Sequence, residues 1–303
     1  MSLWGIDLGG TKIEGVVLES RANPRPLARL RIPTEAHLGY DHICGQIKKM
    51  VDLLRAETGL EPHHVGIGHP GTLDRIIGAM KNANTTCLNG MPFDRDLEKL
   101  LGVPVRLAND ANCFAVAEAL LGGAPEALPG AEVVFGVILG TGVGGGWVVH
   151  NKVINGRQGL GGEWGHNFLD ESGGPCYCGR TGCVETVISG PALERFYAQT
   201  TGNSLKLKDI VARAEAGSDP AAVATIDRLV HFFGKAIAVV INMVDPDVIV
   251  LGGGVGNIDR LYTDGVAEAR KFIFDTRPER RIETIFLKPK LGDSAGVFGA
   301  ALL

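Results

Sequence analysis

The 303-residue chain is predicted to be an α/β protein of two related lobes, on three observations. A glycine-turned hairpin occurs twice, short apolar runs end in Gly, Pro or Asn turns, and segments of helical periodicity lie between those runs. The hairpin carries most weight. Leu3 to Leu18 alternates apolar and polar residues on either side of Gly9-Gly10, a turn expected to need positive φ. Setting GIDLGGTKIEGVVL, from Gly5, beside GVILGTGVGGGWVV, from Gly136, aligns Gly5 with Gly136, Gly9 with Gly140 and Gly15 with Gly146. The chain therefore carries one hairpin twice, one per half. Alone, the first hairpin reads as a plain turn with a solvated lysine. Its repetition favours a phosphate grip, in which glycines let backbone N–H groups approach an anion, Thr11 and Lys12 add donors, and Asp7 holds a magnesium ion.

Composition narrows the function. A net charge of -4 with 45% hydrophobic residues describes a globular chain whose partner is neither nucleic acid nor a membrane surface. No apolar run nears the roughly 20 residues of a membrane span, and the amino terminus lacks a signal-peptide pattern, so the expected location is cytoplasmic. Cys44, Cys87 and Cys113 stand singly, as in a reducing compartment.

In order along the chain, Tyr40 to Thr58 has helical spacing and stops before Gly59. Val65 to Gly68 reads as a buried strand opening into Pro70-Gly71-Thr72, where ligands of open α/β sheets bind; His69 reads as a turn residue. Asn82 to Gly90 reads as an irregular loop, Asp94 to Leu101 as a short helix and Val103 to Leu107 as a strand. Asn109-Asp110 then precedes the apolar helix CFAVAEALL. One of the two suffices as a cap, so Asp110 is the general-base candidate and Asn109 a hydroxyl-binding neighbour. Gly140 to Gly145 satisfies G-x-G-x-x-G, but the following residues read as strand, turn and strand, which argues against a dinucleotide site. Farther on, Ala192 to Gln199, Leu207 to Glu215, Ala221 to Met243 and Asn257 to Phe274 read as helices, with His231 as a core or flank residue. Val248 to Leu251 reads as a strand ending in Gly252-Gly253-Gly254, and a small-residue helix follows Gly292-Asp293-Ser294.

Gly161 to Glu185 is the densest segment. His166, Cys176, Cys178 and Cys183 supply one imidazole and three thiols, the set that suits closed tetrahedral zinc. A disulfide fits less well, because Cys176 and Cys178 are too close to bridge easily and a third cysteine is left over. Glu163 and Glu185 frame the cluster, and rigid paired acids suit a polar ligand such as a sugar.

Taken with IDLGGTK from Ile6, the segments KNANTTCLNG, VRLANDANCFAVAEA, LGTGVGGG, GEWGHN, PCYCGRTGCVET, VDPDVIVLGGG and GDSAGVFGAA resemble the sugar kinases of the ROK family (repressors, open reading frames and kinases). The likeness covers nearly the whole chain and runs most strongly to bacterial fructokinases and mannokinases. It implies the two-lobed actin/hexokinase-like (ribonuclease H-like) fold, with a cleft between hairpin-led lobes. Residues 1–113 with about 292–303 would form the smaller lobe, and residues 114–291 the larger, zinc-bearing one.

The resemblance further implies Asp110 as the base that accepts the proton of a hexose 6-hydroxyl. MgATP would lie near Asp7 on Gly9, Gly10, Thr11, Lys12, Gly140, Thr141, Gly142, Gly144, Gly253 and Gly254. Gly71, Asn84, Asn109, Asp110, Glu163, His166 and Glu185 would bind the sugar, and His166, Cys176, Cys178 and Cys183 a structural zinc. Fructose, then mannose, is the expected substrate; N-acetylglucosamine or glucose is the alternative, as is a non-catalytic sugar sensor. Relatives are often homodimers. The repressors' helix-turn-helix has no room before the first hairpin.

Overall fold

A computed structural model describes residues 1–277, 279 and 281–303. The first hairpin is β1 (Leu3–Leu8) and β2 (Lys12–Leu18), followed by β3 (Pro26–Pro33), α1 (Tyr40–Thr58) and β4 (Val65–His69). A small ribbon, β5 (Thr72–Asp74) and β6 (Ala79–Lys81), leads to α2 (Phe93–Leu101), β7 (Val105–Asn109) and α3 (Asp110–Leu120). The second half runs α4 (Ala124–Ala127), β8 (Val133–Leu139), β9 (Val143–Val149), β10 (Lys152–Val153), α5 (Val184–Ile188), α6 (Gly190–Thr201), α7 (Leu207–Glu215) and α8 (Pro220–Val244). It closes with β11 (Val248–Gly252), α9 (Gly253–Gly256), α10 (Asp264–Ala269), β12 (Ile285–Leu287) and α11 (Ala295–Ala301).

The duplication read from glycines is present in the topology. One sheet runs β3-β2-β1-β4-β7 and the other β10-β9-β8-β11-β12. In both, an antiparallel edge gives way to parallel strands, β1 to β4 to β7 and β8 to β11 to β12. Two compact units result: residues 1–122, 146–162 and 290–303 form one, and residues 123–145 and 163–289 the other.

In the first unit, Ile43, Ile47, Met50, Val51 and Leu54 make the buried stripe of α1. They join Trp4, Ile6, Ile13, Val65, Ile67 and Phe93 in one apolar core. The helix stops at Gly59 because that residue is left-handed (φ 67°) and its N–H turns back to the Arg55 carbonyl. On the opposite face the terminal helix α11 lies so close that Cβ atoms on Gly5 and Gly66 would meet its backbone at 2.4 and 1.8 Å. Only glycine permits that approach. Glu118, fully buried on α3, accepts from the Lys290 and Leu291 N–H groups and anchors the segment before α11. The second unit is centred on α8, whose Leu229, Phe233 and Ile237 are fully buried.

Some elements depart from the reading of the sequence. His69 is not a turn residue: it ends β4, buried edge-on against Phe93, with Nδ1 3.0 Å from the Pro70 carbonyl. Burial holds its imidazole near 4. The helix expected over Asn257 to Phe274 is broken. Ile258, Leu261 and Tyr262 bond three residues back in 3-10 fashion, and Tyr262 donates to the Gly256 carbonyl, so only α10 is α-helical. Asn242 then brackets Phe272 and Phe274 and takes the Phe274 N–H that a helix would have used. The seventh strand begins at Val105 rather than Val103, and the 82–90 loop contains a 3-10 turn at Thr86–Leu88. His231 lies on a flank, paired with Glu268 at 2.9 Å. Among the described residues no helix is long and apolar enough to cross a membrane.

Candidate active site

The first unit gathers its chemistry at the carboxyl ends of β1, β4 and β7. Strand register places Arg31, Glu14, Asp7, Gly68 and Ala108 side by side across the sheet. Asp7 and Glu14 are thus direct cross-strand neighbours. Glu14 is buried and neutralised by Arg29 and by Arg31, the latter at 2.8 Å. Burial first, then the Asp110 and Glu14 carboxylates, push Asp7 from 3.8 up to about 6, with Lys12 working against them. Asp110 opens α3 and keeps a solvent-accessible edge. Burial raises its pKa as well, opposed by the Ala111 N–H and the Asn109 amide.

Asn109 caps α3: its Oδ1 accepts from the Ala111 N–H at 2.9 Å, and its Nδ2 donates to the Gly71 carbonyl at 3.1 Å. The cap therefore ties β7 to the turn after β4. Gly71 has φ 78°, and a Cβ there would lie 2.6 Å from the Ala83 nitrogen. Gly10 and Asn84 line one cleft of about 590 Å³ with His37, Thr85 and Cys87.

The first glycine turn is closed by the Gly9 N–H on the Lys12 carbonyl. Thr34, beyond β3, locks it from outside: its hydroxyl donates to the Gly9 carbonyl at 2.6 Å and its N–H to that of Thr11. Sequence reasoning missed Thr34, as it missed Glu14, because the partners of both are distant in sequence: Thr34 bonds back to the Gly9–Lys12 turn, and Glu14 pairs with arginines of β3. A lone acid inside the apolar run of β2 was the available signal.

Positive φ was expected at Gly9-Gly10, and neither residue adopts it; nor does Gly140. A Cβ on Gly10, Gly140 or Gly254 would touch nothing within 4 Å. Neither conformation nor internal crowding requires glycine at these three turn positions. Open space above a backbone turn is what an approaching anion needs.

In the second unit, the Gly140–Gly144 turn meets the carboxyl end of β11. Gly140 donates to the Gly142 carbonyl, and Gly190, opening α6, donates to that of Gly140. Gly253, at φ 80°, lies against Leu139, where a Cβ would come within 2.2 Å of the carbonyl oxygen. Glu185 on α5 accepts from the Val143 N–H at 2.9 Å, and its Oε2 fills the place a Cβ on Gly142 would need.

The metal-ligand segment leans on the same turn. Trp164 packs edge-on against Phe135 and donates to the Gly144 carbonyl, and Gly165 presses against Val143 too closely for any side chain. Glu163 starts the 3-10 turn Trp164–His166. Beyond it, a knuckle closed by the Cys176 N–H on the Arg180 carbonyl folds the cysteines back. All six cysteines are free thiols, and the donor atoms of His166, Cys176, Cys178 and Cys183 lie within 4.8 Å of one another. The Cys178–Cys183 sulfurs are 3.6 Å apart, as are the Cys176 sulfur and His166 Nδ1. Tetrahedral zinc with Zn–S bonds of about 2.3 Å places sulfurs roughly 3.8 Å apart. The four groups fit that ion. His166 Nε2 then faces the Tyr177 hydroxyl at 3.0 Å, a partner the sequence did not suggest.

The model of the ROK family matches residues 3–303. An N-acetyl-D-glucosamine kinase of Yersinia pseudotuberculosis is 35% identical over 99% of this chain and 98% of its own length. The crystal structure of a ROK hexokinase from Thermus thermophilus superposes with TM-score 0.86 at 33% identity, covering 100% of this chain and 97% of that one. A ROK family glucokinase from Streptomyces griseus, solved with glucose and AMPPNP, gives 0.77 at 29%, covering 99% and 98%.

Proposed function

This chain belongs to the ROK family, and from that premise we propose that it transfers the γ-phosphate of ATP to the 6-hydroxyl of N-acetylglucosamine. The observation that carries the kinase reading is the trio Gly10, Gly140 and Gly254, glycines at strand ends whose faces are open. Fructose, the substrate expected from the motifs, has less support than N-acetylglucosamine, the substrate named for the 35% identical relative.

In this reading each glycine turn offers its own N–H groups to phosphate, with Lys12 and Thr11 adding donors in the first. Within the first unit Asn109 and Gly71 are the proposed sugar-binding groups; within the second they are Glu163, His166 and Glu185. Asp110 accepts the hydroxyl proton, and its raised pKa favours that task. Asp7 suits a divalent cation, since a carboxyl crowded by Asp110 and Glu14 gains from a positive neighbour. Bound Mg²⁺ supplies charge neutralisation for the transferring phosphoryl group. Zinc on His166, Cys176, Cys178 and Cys183 would serve to hold the segment that presents Glu163 and Glu185.

An ADP-release assay with MgATP across N-acetylglucosamine, glucose, mannose and fructose tests the reading. The expected result is the highest kcat/KM with N-acetylglucosamine. A clear preference for fructose would return the substrate to the motif-based expectation, and no sugar-dependent ADP release would end the kinase reading.

A further inference from the structure

Three hydrogen bonds, all inside the first unit, join the elements around Asp110 into a closed frame. Asn109 Nδ2 donates to the Gly71 carbonyl at 3.1 Å. Thr72 Oγ1, next in sequence, donates to the Gly159 carbonyl at 3.2 Å. Asn112 Nδ2, in the same first turn of α3 as Asp110, donates to Asn155 Oδ1 at 3.2 Å. Asn155 and Gly159 belong to one glycine-rich strap, Asn155–Gly162, which returns on itself through the Gly161 N–H on the Asn155 carbonyl.

The strap is built to be held. Gly156, Gly159 and Gly162 have φ of 74°, 73° and 98°, so its own backbone preferences specify little. A Cβ on Gly159 would fall 2.2 Å from the Thr72 methyl group, which shows how closely that turn docks. Thr72 and Asn112 are 6% and 5% exposed. Asn112 Oδ1 has no partner among the described residues, and the amide is anchored through the bond from its Nδ2 to Asn155. A cap needs Asn109 alone, so the second Asn of the Asn-Asp-Ala-Asn run is explained by the strap.

We propose that Thr72 and Asn112 are positioning residues for the sugar, clamping the Asn155–Gly162 strap to the helix turn that carries Asp110. The inference rests on the kinase reading above. It assigns the frame to the sugar rather than to ATP, because Gly71 and Asn109 belong to the frame and the Gly9–Lys12 turn does not. The strap also leads directly into Glu163.

The test compares wild type with Thr72→Val, which keeps the shape and removes the donor, with Thr72→Ser, which restores it, and with Asn112→Ala. Hydrogen exchange over residues 155–162 and KM for N-acetylglucosamine and for ATP are measured on each protein. Losing either bond should speed exchange in the strap and raise sugar KM by about 3- to 10-fold, with ATP KM unchanged. Thr72→Ser should behave as wild type. Unchanged strap exchange in Thr72→Val, or equal shifts in sugar and ATP KM, would overturn the clamp. If Asn112→Ala does not fold, Thr72→Val alone decides. A wild-type protein without sugar turnover would instead sink the kinase reading and the positioning role with it, and the exchange data would then separate that outcome from failure of the clamp.

Discussion

The two glycine turns share a backbone and differ in what secures them. The first, Gly9–Lys12, is locked by the neutral Thr34 hydroxyl and sits beside Lys12, Asp7 and the Asp110 helix. The second, Gly140–Gly144, carries no basic residue and is held by the Glu185 carboxylate and the start of α6. Duplication thus preserved the strand order and the glycine pair Gly9 and Gly140 while the side chains diverged. Charge for chemistry gathered at the first turn, and the second became the seat of the metal-ligand segment.

That contrast can be broken from either side. The largest effect is expected at the first turn: Asp110→Asn should lower kcat by about 10³-fold while sugar affinity, measured by calorimetry, stays near wild type. Near-normal turnover would remove Asp110 from the base role. At the second turn, Gly142→Ala should displace Glu185, since the new Cβ falls 2.6 Å from its Oε2. Sugar KM should rise by about 10²-fold, as for a 1 Å misplacement, and an unchanged KM would detach Glu185 from the sugar. Chelating the zinc proposed for His166, Cys176, Cys178 and Cys183 should likewise weaken sugar binding and lower Tm; no change in either on chelation would overturn that proposal.

Smaller effects sharpen the first side. Thr34→Val should raise ATP KM by about 3- to 10-fold and spare sugar KM, because only the first turn loses its lock. Asp7→Asn removes a carboxyl whose pKa is raised in the fold. Its folded state binds the proton more tightly, so the stabilising effect of that proton is full below about 3.8 and lost as pH rises through about 6. Without added magnesium, Asp7→Asn should therefore melt about 3 °C higher than wild type at pH 7.5, with the gap closing near pH 4. A gap that does not vary with pH would contradict the raised Asp7 pKa that burial, and then Asp110 and Glu14, produce.

Much of this was legible in the sequence where local rules decide the outcome. The ends of α1 followed from Tyr40 to Thr58 periodicity and Gly59, the α3 cap from Asn109-Asp110, and the gathering of His166 with Cys176, Cys178 and Cys183 from their spacing. Elements fixed by distant partners were not legible. The third strand, Pro26–Pro33, is a mostly exposed edge whose arginines make sense only opposite Glu14. The ribbon Thr72–Lys81 and the three-residue β12 are too short for a pattern, and the break after Ala269 depends on Asn242, some thirty residues earlier by the numbering. The positive φ expected at the first turn is absent from Gly9 and Gly10, and of the two only Gly10 has an open face.

The central claim is the proposed transfer of phosphate from ATP to a sugar. Phosphorus NMR of wild-type protein with MgATP and N-acetylglucosamine tests it most directly. The account predicts that ADP and a sugar 6-phosphate appear in equal amounts. ATP consumed without a sugar phosphate, or no ATP consumed with any hexose, would contradict it.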